Sequence, residues 1–298
     1  MASPSSTPTD GPPVIFDASR RAARLRRAQT RFASADFLHR RAAENAVNSL
    51  EVILREFQAP VDLSPHTGIF EEVLADSPAR AQVAQIAKPA TIEERAAPGA
   101  SFLPIEDGQA DLVINLLGLH WANDLPGALS QIRRALKPDG LFVASLFGAA
   151  TLKELRSVLT EAELEINGGA QARVSPFADG YDGAGLLQRA GFALPVTDVD
   201  RFTVRYSHPL NLMRDLRAMG ETNVLAGPIR PLSRQVLGRA LELYAQRHAE
   251  PDGRIPATFE MVHLAGWAPH ESQQKPAKRG SAQVSLADAL HVRDKGAI

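Results

Sequence analysis

A strand–helix–strand succession in the middle of the chain limits the fold more than any other feature. From Asp111 to Leu119 the residues Leu112, Val113, Ile114, Leu116 and Leu117 form a nearly unbroken apolar run. Such a run suits a strand covered on both faces, as in a parallel sheet. Asp124 is placed to cap a following helix, and Pro126 is tolerated in its first turn. Leu125, Leu129, Ile132 and Leu136 then recur at helical spacing. Lys137-Pro138-Asp139-Gly140 breaks that helix and turns the chain into a second apolar strand, Leu141 to Phe147. This is the βαβ pattern of a parallel sheet with helices on its faces.

The same alternation extends outward. Val61 to Leu63 reads as a short strand, followed by a loop and a helix from Ile69 to Ala75. Gln82 to Ala87 is a weaker strand. Beyond Phe147 the pattern predicts a helix over Thr151 to Glu165, a short helix ending at Gly191, and an extended stretch from Phe192 to Tyr206. Two helices, Leu210 to Met219 and Arg234 to His248, are inserted before a last strand, Ala257 to Leu264. Pro251-Asp252-Gly253 is a turn signal before that strand.

Ahead of the sheet lies an arginine-rich region. Eight arginines and two aspartates fall between Asp17 and Arg41, and Ala and Leu dominate the rest, so it reads as helical. A basic helix can touch an acidic partner, phosphates or a membrane surface, and its plainer reading is a solvated face. A second helix is expected from Ala42 to Arg55, with Ala46, Leu50 and Leu54 on one face and Pro60 as its stop. Residues 1–13 are Ser/Thr/Pro-rich, read as a disordered tail, and lack the apolar segment of a secretory signal. The expected domain is then 14–268, with the helical insertion at about 209–248 and a polar tail at 269–298. In that tail Ser285 and Asp288 have capping-box-like spacing for a short helix.

Composition excludes some chemistry. With no cysteine the chain has no disulfide, no thiolate metal site and no cysteine nucleophile. Its net charge of −1 favours neither a nucleic-acid nor a membrane partner. No stretch approaches the roughly eighteen apolar residues that cross a bilayer. The histidines show neither a His-Glu-x-x-His nor a His-x-Asp pattern, so no metal site is expected.

A doubly wound sheet binds its ligand at the carboxyl ends of its strands. The first such place is Asp62-Leu63-Ser64-Pro65-His66-Thr67-Gly68. Its outline, D-L-x-x-x-T-G, resembles the D/E-L-G-x-G-x-G loop of class I methyltransferases. Phe102-Leu103-Pro104-Ile105-Glu106-Asp107-Gly108 with Ala110-Asp111-Leu112-Val113 resembles their L-P-F-x-D-x-x-F-D-L-V block, and Lys137-Pro138-Asp139-Gly140-Leu141 the turn before their fifth strand. The resemblance implies a Rossmann-like fold: a mostly parallel seven-stranded sheet with helices on both faces, N-terminal helices and a helical insertion before the last strand. It implies S-adenosylmethionine as cofactor, near Asp62, Leu63, Ser64, Gly68, Asn115 and Leu116.

A narrower family is also matched. Ile15-Phe16-Asp17, the run Asn123 to Leu129, Arg173-Val174-Ser175-Pro176-Phe177, the run Met213 to Glu221, and the run Gly266 to Pro276 are similar to the bacterial relatives of mitochondrial complex I assembly factor 5. That resemblance implies a protein substrate, a peripheral complex I subunit, modified or chaperoned during assembly. It implies the bacterial cytoplasm, or the mitochondrial matrix in a eukaryote. A non-catalytic assembly factor and a carboxyl methyltransferase of the biotin-synthesis type are the alternatives; the helix near Pro209 to Gly220 loosely resembles the latter. The tail Pro269 to Pro276 is either a docking segment or a surface strap.

The loop departs from the class pattern. Only Gly68 remains of its glycines; Ser64 adds a Cβ, Pro65 lacks a backbone donor, and His66 places a ring at the closest approach. The second strand ends Gln85-Ile86-Ala87-Lys88-Pro89, without the usual ribose-binding acid, and Glu93 and Glu94 replace it only with a shifted register. Pro98 to Ser101 also lacks an expected acid. These changes predict weak or lost cofactor binding. His120 and Trp121 end the fourth strand of the family fold; with Tyr206 they are the candidate substrate pocket, and His120 the candidate proton acceptor. A packed strand-end histidine is the competing role for His120. Trp267 is a further aromatic that either lines the site or sits in the core.

Overall fold

The structure is a computed structural model that describes residues 14–89, 105–177 and 182–274. Its strands are β1 (Pro60–Asp62), β2 (Ala110–Leu116), β3 (Leu136–Phe147), β4 (Ala193–Tyr206) and β5 (Ile255–Trp267). The apolar run predicted as the central strand is β2, and all of its residues are buried. It pairs in parallel with β1 on one side and β3 on the other. The last strand, β5, runs antiparallel between β3 and β4, so the sheet order is β1-β2-β3-β5-β4.

The helices are α1 (Ala18–Ala28), α2 (Phe37–Glu51), α3 (Ile69–Ala75), α4 (Leu125–Ala135), α5 (Lys153–Asn167), α6 (Gly183–Arg189), α7 (Pro209–Met219) and α8 (Arg234–His248). Both faces of the sheet are covered, which follows from the period-two alternation of strand side chains. Leu112, Ile114 and Leu116 of β2 join one core with Leu50, Phe70, Val158 and Leu243 from α2, α3, α5 and α8. Val113, between them, joins the opposite core with Leu129, Ile132 and Leu187 from α4 and α6. The strand with the densest apolar run therefore holds the two cores apart. The inserted helices α7 and α8 lie between β4 and β5 in the chain, and α8 packs along α5.

Several expectations are corrected. The arginine-rich region is not one helix: α1 ends at Ala28, a short 3-10 turn covers Phe32–Ser34, and α2 begins at Phe37. The latter helix stops at Glu51, which leaves Leu54 99% exposed rather than on its buried face. Gln82 to Ala87 is not a full strand; it meets the sheet edge through two isolated parallel bridges, Phe57↔Val83 and Val61↔Ala87. Among the described residues the sheet has five strands rather than seven. Lys137 to Gly140 is not a turn ahead of β3 but a bulge inside it. Leu136 pairs with Ala110 and Leu141 already with Leu112, so the intervening residues loop out, with Asp139 at φ +61°. Arg55 holds that bulge through the carboxylate and carbonyl of Asp139. The expectations for 1–13, Glu93 and Glu94, Pro98 to Ser101, Phe102 to Pro104, and the tail from Lys275, including the Ser285 helix, lie outside the described residues.

One carboxylate fixes where β1 enters the sheet. Asp111 accepts hydrogen bonds from the backbone N–H groups of Gln58 and Ala59, at 2.7 and 2.9 Å. It thereby sets the register that brings Asp62 beside Ile114. Asp111→Ala strands both donors in a part-buried setting. The expected loss is about 2–4 kcal/mol in urea unfolding; a loss below about 0.5 kcal/mol would show that the pairing alone holds β1.

Candidate functional site

The carboxyl ends of β1 and β2 are tied together by side chains that the sequence placed there. The buried Asp62 carboxylate accepts from the backbone N–H of Ser64 at 2.9 Å. Burial raises its pKa, against the opposing pull of the Ser64 hydrogen bonds and Lys88. Ser64 Oγ accepts from Leu116 N–H at 2.9 Å. Asn115 Nδ2 donates to the Leu63 carbonyl at 2.9 Å, while its Oδ1 accepts from the N–H groups of Gly118 and Leu119. Pro65 closes the gap above them: its Cδ stands 3.0 Å from where a Cβ on Gly118 would be. The six proposed cofactor residues are thus brought to one place, with Gly68 opening α3 at φ +108° and nothing within 4 Å of its missing Cβ.

That geometry tests how well S-adenosylmethionine fits. Room exists at Gly68, whose backbone angle a side chain would strain. The polar groups that would face a nucleoside are already engaged within the chain: Ser64 N–H with Asp62, Ser64 Oγ with Leu116, and the Asn115 amide with three backbone groups. Lys88, at the end of the 83–87 segment, pairs with Glu71, and no carboxylate stands in 85–89. Those groups are engaged within the chain, while Gly68 leaves open space at the start of α3.

The His66 ring lies flat on Phe32, with centroids 3.7 Å apart, and its Nε2 is 2.9 Å from the Met219 carbonyl. His39 meets both rings edge-on from beneath. Neither ring nitrogen of His39 has a hydrogen-bond partner among the described residues, and burial with the neighbouring His66 lowers its pKa to about 3. Burial also lowers that of His66. The ring at the loop's closest approach is therefore built into the packing of the N-terminal segment.

Beyond β2 the chain makes a short turn, Leu119–Trp121, after Leu117 at φ +55°. It delivers His120 and Trp121 to a buried carboxylate that the sequence reading did not single out. Glu221 Oε2 accepts from Trp121 Nε1 at 3.0 Å and lies 3.2 Å from His120 Nε2. Its Oε1 accepts from Arg21 Nη2 at 2.7 Å. Arg21 also donates to the Gly220 carbonyl at 2.7 Å, and its guanidinium carbon lies 4.9 Å from the centre of the Trp121 ring. Burial opposes ionisation of Glu221, but Arg21, His120 and His39 outweigh it and hold the carboxyl well below the usual range. An ionised Glu221 can only accept, so His120 Nε2 is the protonated nitrogen.

Glu221 also faces a cavity of about 230 Å³ with Trp121, Leu155, Phe177, Met213 and Leu216 among its walls. His120 packs against Phe147 and against the cavity wall Phe177, but it is not itself among the residues that line the cavity. Tyr206 is not brought there. It is buried at the end of β4 in the core, where burial and Asp215 push its hydroxyl pKa up. Trp267 packs at the other end of β5, near Arg55. Glu221 and Phe177 were visible only as members of family blocks. Arg21 was one of eight similar arginines, and nothing in its neighbours distinguishes it. Among the described residues no three His, Asp or Glu side chains gather as a metal site.

Comparisons with known proteins fit this geometry. Residues 66–144 match a family described as a methyltransferase domain. The mitochondrial arginine-hydroxylase NDUFAF5 of Danio rerio is 46% identical over 187 residues, 63% of this chain and 58% of that protein. Its Homo sapiens counterpart is 44% identical over 187 residues, 63% of this chain and 54% of that one. A malonyl-[acyl-carrier protein] O-methyltransferase of Halorhodospira halophila is 38% identical over 187 residues, 62% of this chain and 61% of that one. The matched region thus spans little more than half the length of these relatives.

The site makes two predictions about stability. Arg21→Ala leaves Glu221 buried with its main counter-charge gone. It should cost about 3–5 kcal/mol in urea unfolding; a cost under 1 kcal/mol would mean that α1 is held by its apolar face alone. His39 gives a pH dependence. Above pH 6.5 it is neutral in both states; below, the unfolded chain takes up a proton that the folded chain refuses until about pH 3. Stability therefore falls as pH drops through that window, by about 2 kcal/mol at pH 5 relative to pH 7 for this residue. His39→Leu should flatten the fall in the urea midpoint between pH 7 and 5, and an unchanged slope would assign it to other groups.

Proposed function

We propose that this chain, which matches a methyltransferase-domain family over residues 66–144 and is 44–46% identical to NDUFAF5 arginine-hydroxylases over 187 residues, carries a class I methyltransferase domain and modifies a protein substrate during respiratory complex I assembly. The observation that carries the proposal is the junction of two places. The carboxyl ends of β1 and β2, where such a domain holds its cofactor, adjoin through His120 and Trp121 an apolar cavity walled by an ionised carboxylate. Glu221 and Trp121 together already hold one guanidinium, that of Arg21. Both oxygens of Glu221 are engaged there, so an arginine acceptor in the cavity would meet the carboxylate's negative charge rather than a free oxygen.

S-adenosylmethionine would be held by Asp62, Leu63, Ser64, Gly68, Asn115 and Leu116, and it would supply an activated methyl group. The grip is weak, because Ser64 and Asn115 and the Leu63 carbonyl are already hydrogen-bonded within the chain and no acid stands in 85–89. Each charged or polar contact not made to the ligand costs binding of about 1–3 kcal/mol, and about 1.4 kcal/mol is a tenfold weakening. His120 is oriented by Glu221 behind the Trp121 and Phe177 walls, and the apolar walls exclude water from an acceptor side chain. Tyr206 acts from the core, by supporting α7 rather than by touching the acceptor.

Titration calorimetry with S-adenosylmethionine should give a dissociation constant of about 0.1–1 mM, a few powers of ten above a tight site. A low-micromolar value would overturn the weak grip, and no binding at several millimolar would overturn use of this cofactor. Co-expression with the peripheral subunits of NADH dehydrogenase should yield a mass shift on an arginine-bearing peptide of one of them. Unmodified peptides throughout would overturn the protein-modifying role.

A further inference from the structure

A second cavity, of about 320 Å³, opens between the carboxyl-terminal half of α1 and the end of α7. Arg24, Arg27, Arg31, Arg214 and Arg217 line it. None of the five has a carboxylate partner among the described residues, although Arg40, Arg41, Arg173, Arg205, Arg239 and Arg247 all do. Two buried polar atoms in its wall, Arg24 Nε and Thr222 Oγ1, have no hydrogen-bond partner among the described residues. Unpaired like charges around one concavity repel one another, and buried donors without acceptors are costly, so this arrangement is incomplete without an anion. The mutual repulsion is registered at Arg24, whose pKa is lowered by burial and by Arg27, Arg20 and Arg217.

Arg217 and Thr222 also line the apolar cavity beside Glu221. The two hollows thus share a wall, and an extended chain advancing about 3.3 Å per residue passes from one to the other within a few residues. A concave site takes side chains one at a time, which suits a polypeptide better than the flat surface of a bilayer. We propose that the arginine-lined cavity between α1 and α7 binds carboxylate side chains of an acidic segment in the protein substrate, next to the residue that enters the apolar cavity. The choice of a polypeptide rests on the protein-modifying role proposed above; the affinity for carboxylates does not.

The test uses the full chain and a fluorescein-labelled hexaglutamate peptide, followed by fluorescence anisotropy at low salt. A hexaserine peptide of the same length is the control. Hexaglutamate should bind, hexaserine should not, and rising salt should weaken the complex. Arg27→Glu with Arg214→Glu should weaken it at least about tenfold, and the Arg27→Gln, Arg214→Gln pair by less. Both side chains are exposed, so thermal unfolding should be unchanged. Equal binding by the wild type and the charge-reversed pair would overturn the proposal, as would equal binding of the two peptides. Binding of inorganic phosphate that hexaglutamate cannot displace would overturn it too. The two readings fail separately. Hexaglutamate binding without any modified substrate overturns only the modifying role. Substrate modified by the charge-reversed pair at unchanged KM overturns only the acidic-segment cavity.

Discussion

The buried Glu221 carboxylate is the interaction on which the site depends. Three segments that are far apart in the chain meet on it: α1 through Arg21, the turn after β2 through His120 and Trp121, and the end of α7 through Glu221 itself, with Phe16, just ahead of α1, packed against Trp121. A carboxylate buried this deeply is stable only when charged and hydrogen-bonded partners surround it, and here both oxygens are satisfied. The requirement works in both directions. Glu221 needs Arg21 to stay ionised, and Arg21 needs Glu221 and the Gly220 carbonyl to remain buried. The N-terminal helix is therefore part of the candidate site rather than an appendage to the sheet.

The altered cofactor loop gains a physical account from its neighbours. A glycine-rich loop keeps backbone donors available for a ligand. In this chain the Ser64 N–H is taken by Asp62, the Leu63 carbonyl by Asn115, and Pro65 stands against Gly118. His66 replaces a bare backbone with a ring that stacks on Phe32 and reaches the Met219 carbonyl. These side chains tie β1, β2, the N-terminal segment and α7 together, and a cavity of about 320 Å³ remains beside Pro65, His66 and Thr67.

Much of the fold was legible because its signals are local. The β2 run, the α3 and α8 boundaries and the capping of α4 by Asp124 follow from apolar periodicity and from a side chain that reaches three residues on. The misreadings also have local causes. Leu54 matched the spacing of α2, but the helix ended before it, and periodicity does not register a terminus. Lys137 to Gly140 carried turn residues, yet Leu136 had already paired with Ala110, so the same residues made a bulge. Gln82 to Ala87 had too little apolar sequence to hold a full ladder and kept only two bridges.

The sequence by itself determined that β2 is buried on both faces, that helices alternate with parallel strands, and that the loop after β1 has lost most of its glycines. These are properties of neighbouring residues. Only the tertiary structure decided that Arg21, of eight similar arginines, is the partner of Glu221, since 200 residues separate the two. It alone moved Tyr206 from the pocket to the core, and gathered around one cavity five arginines of α1, the turn after it and α7 that have no carboxylate partner among the described residues. The physical reason is common to all three. Charge pairing and burial depend on distance in space, and a hydrophobic pattern specifies which face turns inward without specifying which polar group it meets there.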